Sequence, residues 1–379
     1  MKYLWVVPIL FAASQATGGG WEASTLDTSF MYQEGNYAEL GTASVTYNVK
    51  ATTQANTKKT KMAKNQSRTS LAFKTEFGDF NLGLSSYMSG AILLSGSDAS
   101  LATCNPVDVT KVAHCSVVPD ADVKVNSLAL LGKYNLNDNF SVLAGANRYE
   151  IASGSTVTAL LGHYAVSGDA TVPTFGAAYE LRDIALRVDV VVQSKTKVSN
   201  FTAQSSFAAN TVATTLQDVS GEGMTIPQTT KLNFQSGIAE DTLLFGSIHQ
   251  AAWKDAQIVI PERGGGSSAG GVDSVGSDFA SRTAYSIGVG RKFTEQVSGL
   301  ISYTTESGGG KTTTDPFTLR NGYQSVSLGG RYISGNMTIS GGLNYTMPGD
   351  VSLTHASGLT ATYKNNNVSA LGFKVDFAF

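Results

Sequence analysis

The chain has 379 residues, 27 Lys and Arg against 29 Asp and Glu, and only 15% charged residues, against roughly 25% in soluble globular chains. No apolar run beyond the first few residues approaches the ~18 needed for a spanning helix, which excludes helical membrane proteins, and a net charge of −2 gives no general attraction to nucleic acid. The 40 Gly, 41 Ser and 39 Thr point instead to β-structure that stays polar without charge.

Residues 1–16 read as a signal peptide. Lys2 is a small basic region, Leu4 to Ala13 is apolar, and Ser14-Gln15-Ala16 is a small-x-small cleavage site. Export implies an oxidising compartment, in which Cys104 and Cys115, bracketing a polar loop, are expected to form a disulfide. A metal reading of Cys104, His114 and Cys115 lacks a fourth ligand at usable spacing, so no metal and no cofactor are expected. Residues 17–34 form a short segment ahead of the first strand.

From 35 to 379 the chain reads as one repeating strand pattern. A strand between lipid and a polar lumen alternates apolar with small or polar side chains. The last segment does so to its end: Leu371, Phe373, Val375, Phe377 and Phe379 share one face, Ala370, Gly372, Lys374, Asp376 and Ala378 the other. Phe373, Val375, Phe377 and Phe379 are thereby a candidate C-terminal signal for the barrel-assembly machinery. Val188, Val190 and Val192 likewise alternate with Arg187, Asp189 and Gln193.

Strands are predicted near 36–50, 67–77, 79–94, 122–134, 139–153, 172–182, 184–198, 224–238, 241–260, 279–293, 296–307, 321–333, 336–349 and 366–379. Tight turns such as Gly78-Asp79, Ala239-Glu240 and Ser334-Gly335 alternate with long polar loops, among them 95–121, 154–171, 199–223 and 261–278. Short turns at one end and long loops at the other are the outer-membrane barrel arrangement, and an even strand number puts both ends on the periplasmic side. The predicted fold is therefore all-β, a transmembrane antiparallel barrel of about 14 strands in a bacterial outer membrane.

The strand texts resemble a family. TIPQTTKLNFQSGIAEDTLLFGSIHQAAWKDAQIVIP (225–261), TAYSIGVGRKFTEQVSGLISY (283–303), YQSVSLGGRYISGNMTISGGLNYTMPGDVSL (323–353), LGFKVDFAF (371–379) and, in the first half, GNYAELGTASVTYNVKAT (35–52) are similar to hairpins of the FadL-type long-chain fatty acid transporters. The resemblance implies a fourteen-stranded barrel plugged by an N-terminal hatch, taking up fatty acids or other hydrophobic small molecules and releasing them sideways through a kinked strand. The hatch expected here, 17–34, is short and lacks that family's Asn-Pro-Ala signature, so the plug is either minimal or missing.

Two loop segments carry apolar residues at helical spacing. They are Val157, Leu160, Leu161, Tyr164 and Ala165, and Ala208, Val212, Leu216 and Val219, with Phe201 and Phe207 just upstream. Facing each other, they would form a dry extracellular groove for a lipid tail; packed on each other, they would merely cap the barrel. The third strand carries Gly83, Ser85, Ser86 and Gly90, and since Gly within a strand marks a bulge or bend, a lateral opening is expected there.

Lys231, Arg187, Asp189, Glu180, Arg182, Arg331 and Lys374 are expected in the lumen. Lys58, Lys59, Lys61 and Lys64 are a basic cluster able to touch lipopolysaccharide phosphates, or simply a solvated loop. Of four His, His114, His163, His249 and His355, only His249 is predicted within a strand, and no nucleophile motif accompanies it, so no enzyme is expected. The competing expectations are a diffusion porin for small polar solutes and a surface adhesin.

Overall fold

A computed structural model describes residues 20–53, 59–96, 118–159, 162–206, 223–261, 274–354 and 360–379. Fourteen of its strands form one closed barrel. In chain order they are β1 (Tyr37–Asn48), β2 (Gln66–Phe77), β3 (Phe80–Ser95), β4 (Asp120–Asn135), β5 (Phe140–Ile151), β6 (Gly162–Leu181) and β7 (Leu186–Gln193). The second half comprises β8 (Thr229–Ala239), β9 (Thr242–Ala251), β10 (Arg282–Lys292), β11 (Val297–Glu306), β12 (Tyr323–Ser334), β13 (Met337–Pro348) and β14 (Asn367–Ala378). Each pairs antiparallel with the next, and β14 closes onto β1 from Tyr37↔Ala378 to Asn48↔Asn367. Phe379 adds two backbone hydrogen bonds of 2.9 Å to Asn36 at this seam.

The predicted alternation holds in most strands. Leu71, Phe73, Leu82, Leu84, Leu128 and Leu130 stand exposed on the outer wall, as do Ile287, Ile301, Leu328, Leu343 and Leu371. A surface this apolar is stable only against lipid. Phe77, Phe80, Tyr134, Phe140, Phe293, Tyr332 and Phe377 ring it near the short turns, while Tyr285, Tyr303 and Tyr345 lie toward the long loops, the girdles expected at the two membrane interfaces. The inner wall is polar and closely packed: Asn344 donates to Ser325 and Ser327, and Arg187 pairs with Asp189 at 3.1 Å.

At the long-loop end the loops pack a core of their own, including Trp21, Tyr149, Tyr164, Trp253, Phe279 and Tyr363. A five-stranded sheet at this end brings together Lys50–Thr53, Thr60–Lys61, Thr312–Thr313, Val351–Thr354 and Thr360–Tyr363. The helix predicted over 154–171 is not there. Thr156–Ala159 and the start of β6 form a hairpin instead, with Val157 paired to Tyr164 and both buried. Val157 and Tyr164, seven residues apart, would share one face of a helix, but here they meet across the hairpin; the β-branched Thr156, Val157, Thr158 and Val166 favour the strand.

Between β11 and β12, Asp315 is 1% exposed. It accepts from the Phe317 N–H at 2.9 Å and from Thr318 Oγ1 at 2.5 Å. Burial pushes its carboxyl up to about 6 despite those bonds. A raised folded-state pKa favours the protonated form: the contribution is complete below the unfolded value near 4 and lost as pH rises through about 6. Loop 308–320 is therefore expected to resist proteolysis better at pH 5 than at pH 7.5, and Asp315→Asn to flatten that difference. Equal cleavage rates at the two pH values would contradict the assignment.

Candidate functional site

The plug is short but present. Gly20–Asn36 runs through the lumen, from the long-loop core at Trp21 to the short-turn end at Asn36, where β1 begins. Barrel side chains hold it along its length. Arg68 on β2, 7% exposed, donates to the Ala23 carbonyl and Ser24, and its guanidinium is steadied by Gln66 and Tyr47. His249 on β9 meets Glu22 at 3.0 Å, Lys231 on β8 donates to Thr25 at 3.0 Å, and Lys74 on β2 donates to the Gln33 carbonyl. Lower down, Leu26, Phe30 and Met31 pack against Ala72, Tyr87, Leu131 and Leu143 of the inner wall. Tyr32 sits between Lys133 and Arg187, their cationic groups 4.7 and 4.5 Å from its ring.

At its upper end the plug replaces a piece of barrel wall. The β2–β3 ladder runs from Phe77↔Phe80 only to Leu71↔Ser86. Gln66 to Ser70 continue to pair with β1, while β3 leaves them and turns inward. Opposite β4, Ser89 is bulged out between Met88 and Gly90, and its hydroxyl donates to the Val125 carbonyl at 3.2 Å. Above the bulge β3 bonds to the plug, through Ala91 N–H to the Trp21 carbonyl and Ala23 N–H to the Ser89 carbonyl, each 2.8 Å. Residues Ser89 to Leu94 are consequently all buried. The wall between β2 and β3 is thus open from above Ser86 up to Leu93, where the Lys64 N–H bonds to the Leu93 carbonyl and the Ser95 N–H to the Met62 carbonyl, and the gap is crossed by a contact from Gln66 Nε2 to Met88 Sδ.

Behind this opening lies a cavity of about 140 Å³. Arg68, Asn344 and Lys374 give it polar groups, while Tyr87, Met88 and Val45 give it apolar ones. Lys374 is paired to Glu39 at 2.9 Å. A cavity of ~150 Å³ holds a benzene-sized group, so one aromatic ring or a few methylenes fit.

The four residues of the third strand divide between two tasks. Ser85 lines the cavity, Ser86 is the last residue paired to β2, and Gly90 lies beside the plug, where a Cβ would stand 2.1 Å from the Trp21 ring. Gly83 lies lower, in the paired part of the strand. It bends nothing, and its missing Cβ admits Met31 and Phe30 of the plug, 2.1 and 2.7 Å from where that atom would be.

The other expected residues are dispersed. Val157 and Tyr164 are buried in the loop core, and Phe201, in the strand Ser199–Ser206, packs against it. Leu160, Leu161, Phe207, Val212 and Leu216 lie outside the described residues, as do Cys104, Cys115, Lys58, His114 and His355. Arg182 is exposed in a short turn rather than on the lumen wall, and His163 belongs to β6 rather than to a loop. His249 holds the plug through Glu22. Trp21 and Arg68, central to the plug, escaped the sequence pattern; Trp21 directly after Gly18-Gly19-Gly20 was the one available signal.

The fold is that of known outer-membrane transport barrels. A Pseudomonas aeruginosa FadL homologue superposes with a TM-score of 0.67 at 13% identity, covering 97% of both chains. The Pseudomonas putida toluene transporter TodX gives 0.62 at 14% identity, covering 93% of this chain and 92% of its own. The Ralstonia pickettii toluene transporter TbuX gives 0.59 at 12% identity, covering 97% and 98%. No family model and no curated protein matches the sequence.

Proposed function

We propose that this protein is an outer-membrane conduit for hydrophobic small molecules, fatty acids or hydrocarbons, that enter at the long-loop end and leave sideways into the bilayer between β2 and β3. The observation that carries the reading is the interrupted β2–β3 ladder above Ser86, backed by a cavity and bordered by the exposed belt residues Leu71 and Leu84. A water-soluble solute gains nothing from an opening toward lipid, whereas a hydrophobic one gains ~0.8 kcal/mol for each CH₂ moved out of water. The names of similarly folded proteins, a FadL homologue and toluene transporters, support the same class of cargo. The cavity's size favours a ring or an alkyl segment at any one moment over a whole extended chain. Capture is assigned to the outer loops around Val157, Leu160, Leu161, Tyr164, Phe201, Phe207, Val212 and Leu216.

A chain cleaved after Ala16 keeps two tryptophans, Trp21 and Trp253, whose rings lie 5.3 Å apart beside Gly90. Intrinsic fluorescence of the purified barrel therefore reports on the top of the plug. Titration with oleate or toluene is expected to change it saturably, with little ion conductance in planar bilayers. Large steady openings with no fluorescence response would instead describe a diffusion porin.

A further inference from the structure

The lysines at the long-loop end form a pattern that neither the barrel nor the plug uses. Lys50 begins the strand Lys50–Thr53, and its direct antiparallel partner is Lys61. On the other side Ala51 pairs with Tyr363, and Lys364 follows at once. Lys59 Nζ lies 3.5 Å from the Lys364 carbonyl. All four lysines are exposed, and each of Lys50, Lys61 and Lys364 adjoins a buried residue: Val49 and Ala51, Met62, and Tyr363. Three neighbouring strands thus present a row of ammonium groups on one face.

Like charges directly opposite each other weaken a sheet. Among the described residues none of the four forms an ion pair, while the nearby Lys64 and Lys124 are paired to Asp120 and Asp122. Asp350, next to the row, accepts the Asn365 N–H at 3.0 Å. The row therefore presents unmatched positive charge.

Its height on the barrel identifies what can match it. Along β1 the exposed residues Leu40, Thr42, Ser44, Thr46 and Asn48 form the outward face, and Lys50 is the next step of that alternation. The row stands on the outer wall just above the apolar belt, at the level of the lipid headgroups. Thr46 and Asn48 below it offer hydrogen bonds suited to sugar hydroxyls.

We infer that Lys50, Lys59, Lys61 and Lys364 bind the phosphate groups of the outer-leaflet glycolipid, lipopolysaccharide. Paired residues on adjacent strands hold their Cβ atoms about 5 Å apart, so one phosphate can take charge-assisted hydrogen bonds from two lysines at once. The inference rests on reading the long-loop end as the outward-facing side of the outer membrane, but its test does not depend on transport.

The purified barrel in amphipol is titrated with diphosphoryl lipid A, with dephosphorylated lipid A and with inorganic phosphate. Wild type is expected to bind diphosphoryl lipid A at least ten-fold more tightly than the triple variant Lys50→Glu, Lys61→Glu, Lys364→Glu. The corresponding triple Arg variant should match wild type. Equal affinity of wild type and the Glu variant, or equal affinity for both lipids, would overturn the proposal; saturable binding of inorganic phosphate at similar strength would overturn the lipid source. Heat-modifiable gel mobility reports folding, and should the triple variant fail to fold, Lys61→Glu alone on the edge strand, expected to weaken binding several-fold, decides.

Discussion

Deletion of Ser89 is expected to abolish lateral release while leaving a folded barrel. Ser89 is the extra residue of the β3 bulge: Met88 faces Asn126 and Gly90 faces Val125, so two steps on β3 match one on β4 with a residue left over. Removing it leaves every inward residue inward, because Met88 and Asn126 share the outer face and Gly90 and Val125 the inner. What changes is the bend. A straightened β3 continues the register that now stops at Leu71↔Ser86 and meets Gln66 to Ser70, which face no strand on that side. Each backbone hydrogen bond so formed adds about 1 kcal/mol, enough in sum to hold the wall shut. Uptake of a radiolabelled fatty acid or toluene by cells depending on this protein should fall at least ten-fold, with unchanged barrel yield and heat-modifiable mobility. Unchanged uptake would mean that cargo leaves by another route, and the opening would lose its function.

Which of these features the sequence announced depends on how many residues carry the signal. The strands were legible because each repeats the same two-residue alternation many times: fourteen were expected, and their observed limits fall close to the predicted ones at most ends, as at 67–77 against Gln66–Phe77 and 336–349 against Met337–Pro348. The loops were not, since Val157 and Tyr164, seven residues apart, also suit one face of a helix, and their pairing across a hairpin is decided by tertiary contacts. On the third strand the glycines have unlike roles. Gly90 does stand beside the bulge, whereas Gly83 answers to the plug's Phe30 and Met31; a glycine that bends a strand and one that admits a neighbour look identical in the sequence. The plug itself was hidden because its anchors come from five strands far apart in the chain: Arg68 and Lys74, Ser89 and Ala91, Arg187, Lys231 and His249. No local pattern links those residues, so the short hatch expected at 17–34 rests on the family resemblance alone, which left open whether it is a minimal plug or none.

Replacing Trp21 by Ala is expected to unlatch the top of that plug. The Trp21 ring is 2% exposed, meets Trp253 and Tyr149 edge-on at 5.3 and 6.3 Å, and fills the space left by the missing Cβ of Gly90, as the Trp253 ring fills that of Gly20. Truncating a buried Trp to Ala costs ~3–5 kcal/mol, more than the ~1 kcal/mol of either backbone hydrogen bond that ties this stretch to β3. The lower plug keeps Lys74 and the packing of Phe30 and Met31, so the loss should stay local and the barrel's melting temperature should hardly move. Single-channel recordings should show openings at least ten-fold more frequent than in wild type, and hydrophobic ligands should bind more tightly, because the ligand no longer competes with the indole for the same apolar surface. Trp253→Phe, which keeps an aromatic edge against Trp21, should behave nearly as wild type. Unaltered conductance and affinity in Trp21→Ala would assign closure instead to the outer loop core, where Phe279, Phe317 and Tyr363 are buried. The two variants separate the steps because each acts on one face of the same contact. Loss of Trp21 opens the lumen from within, while loss of Ser89 seals the wall from without, and only a conduit that passes Gly90 on its way to lipid responds to both in opposite directions.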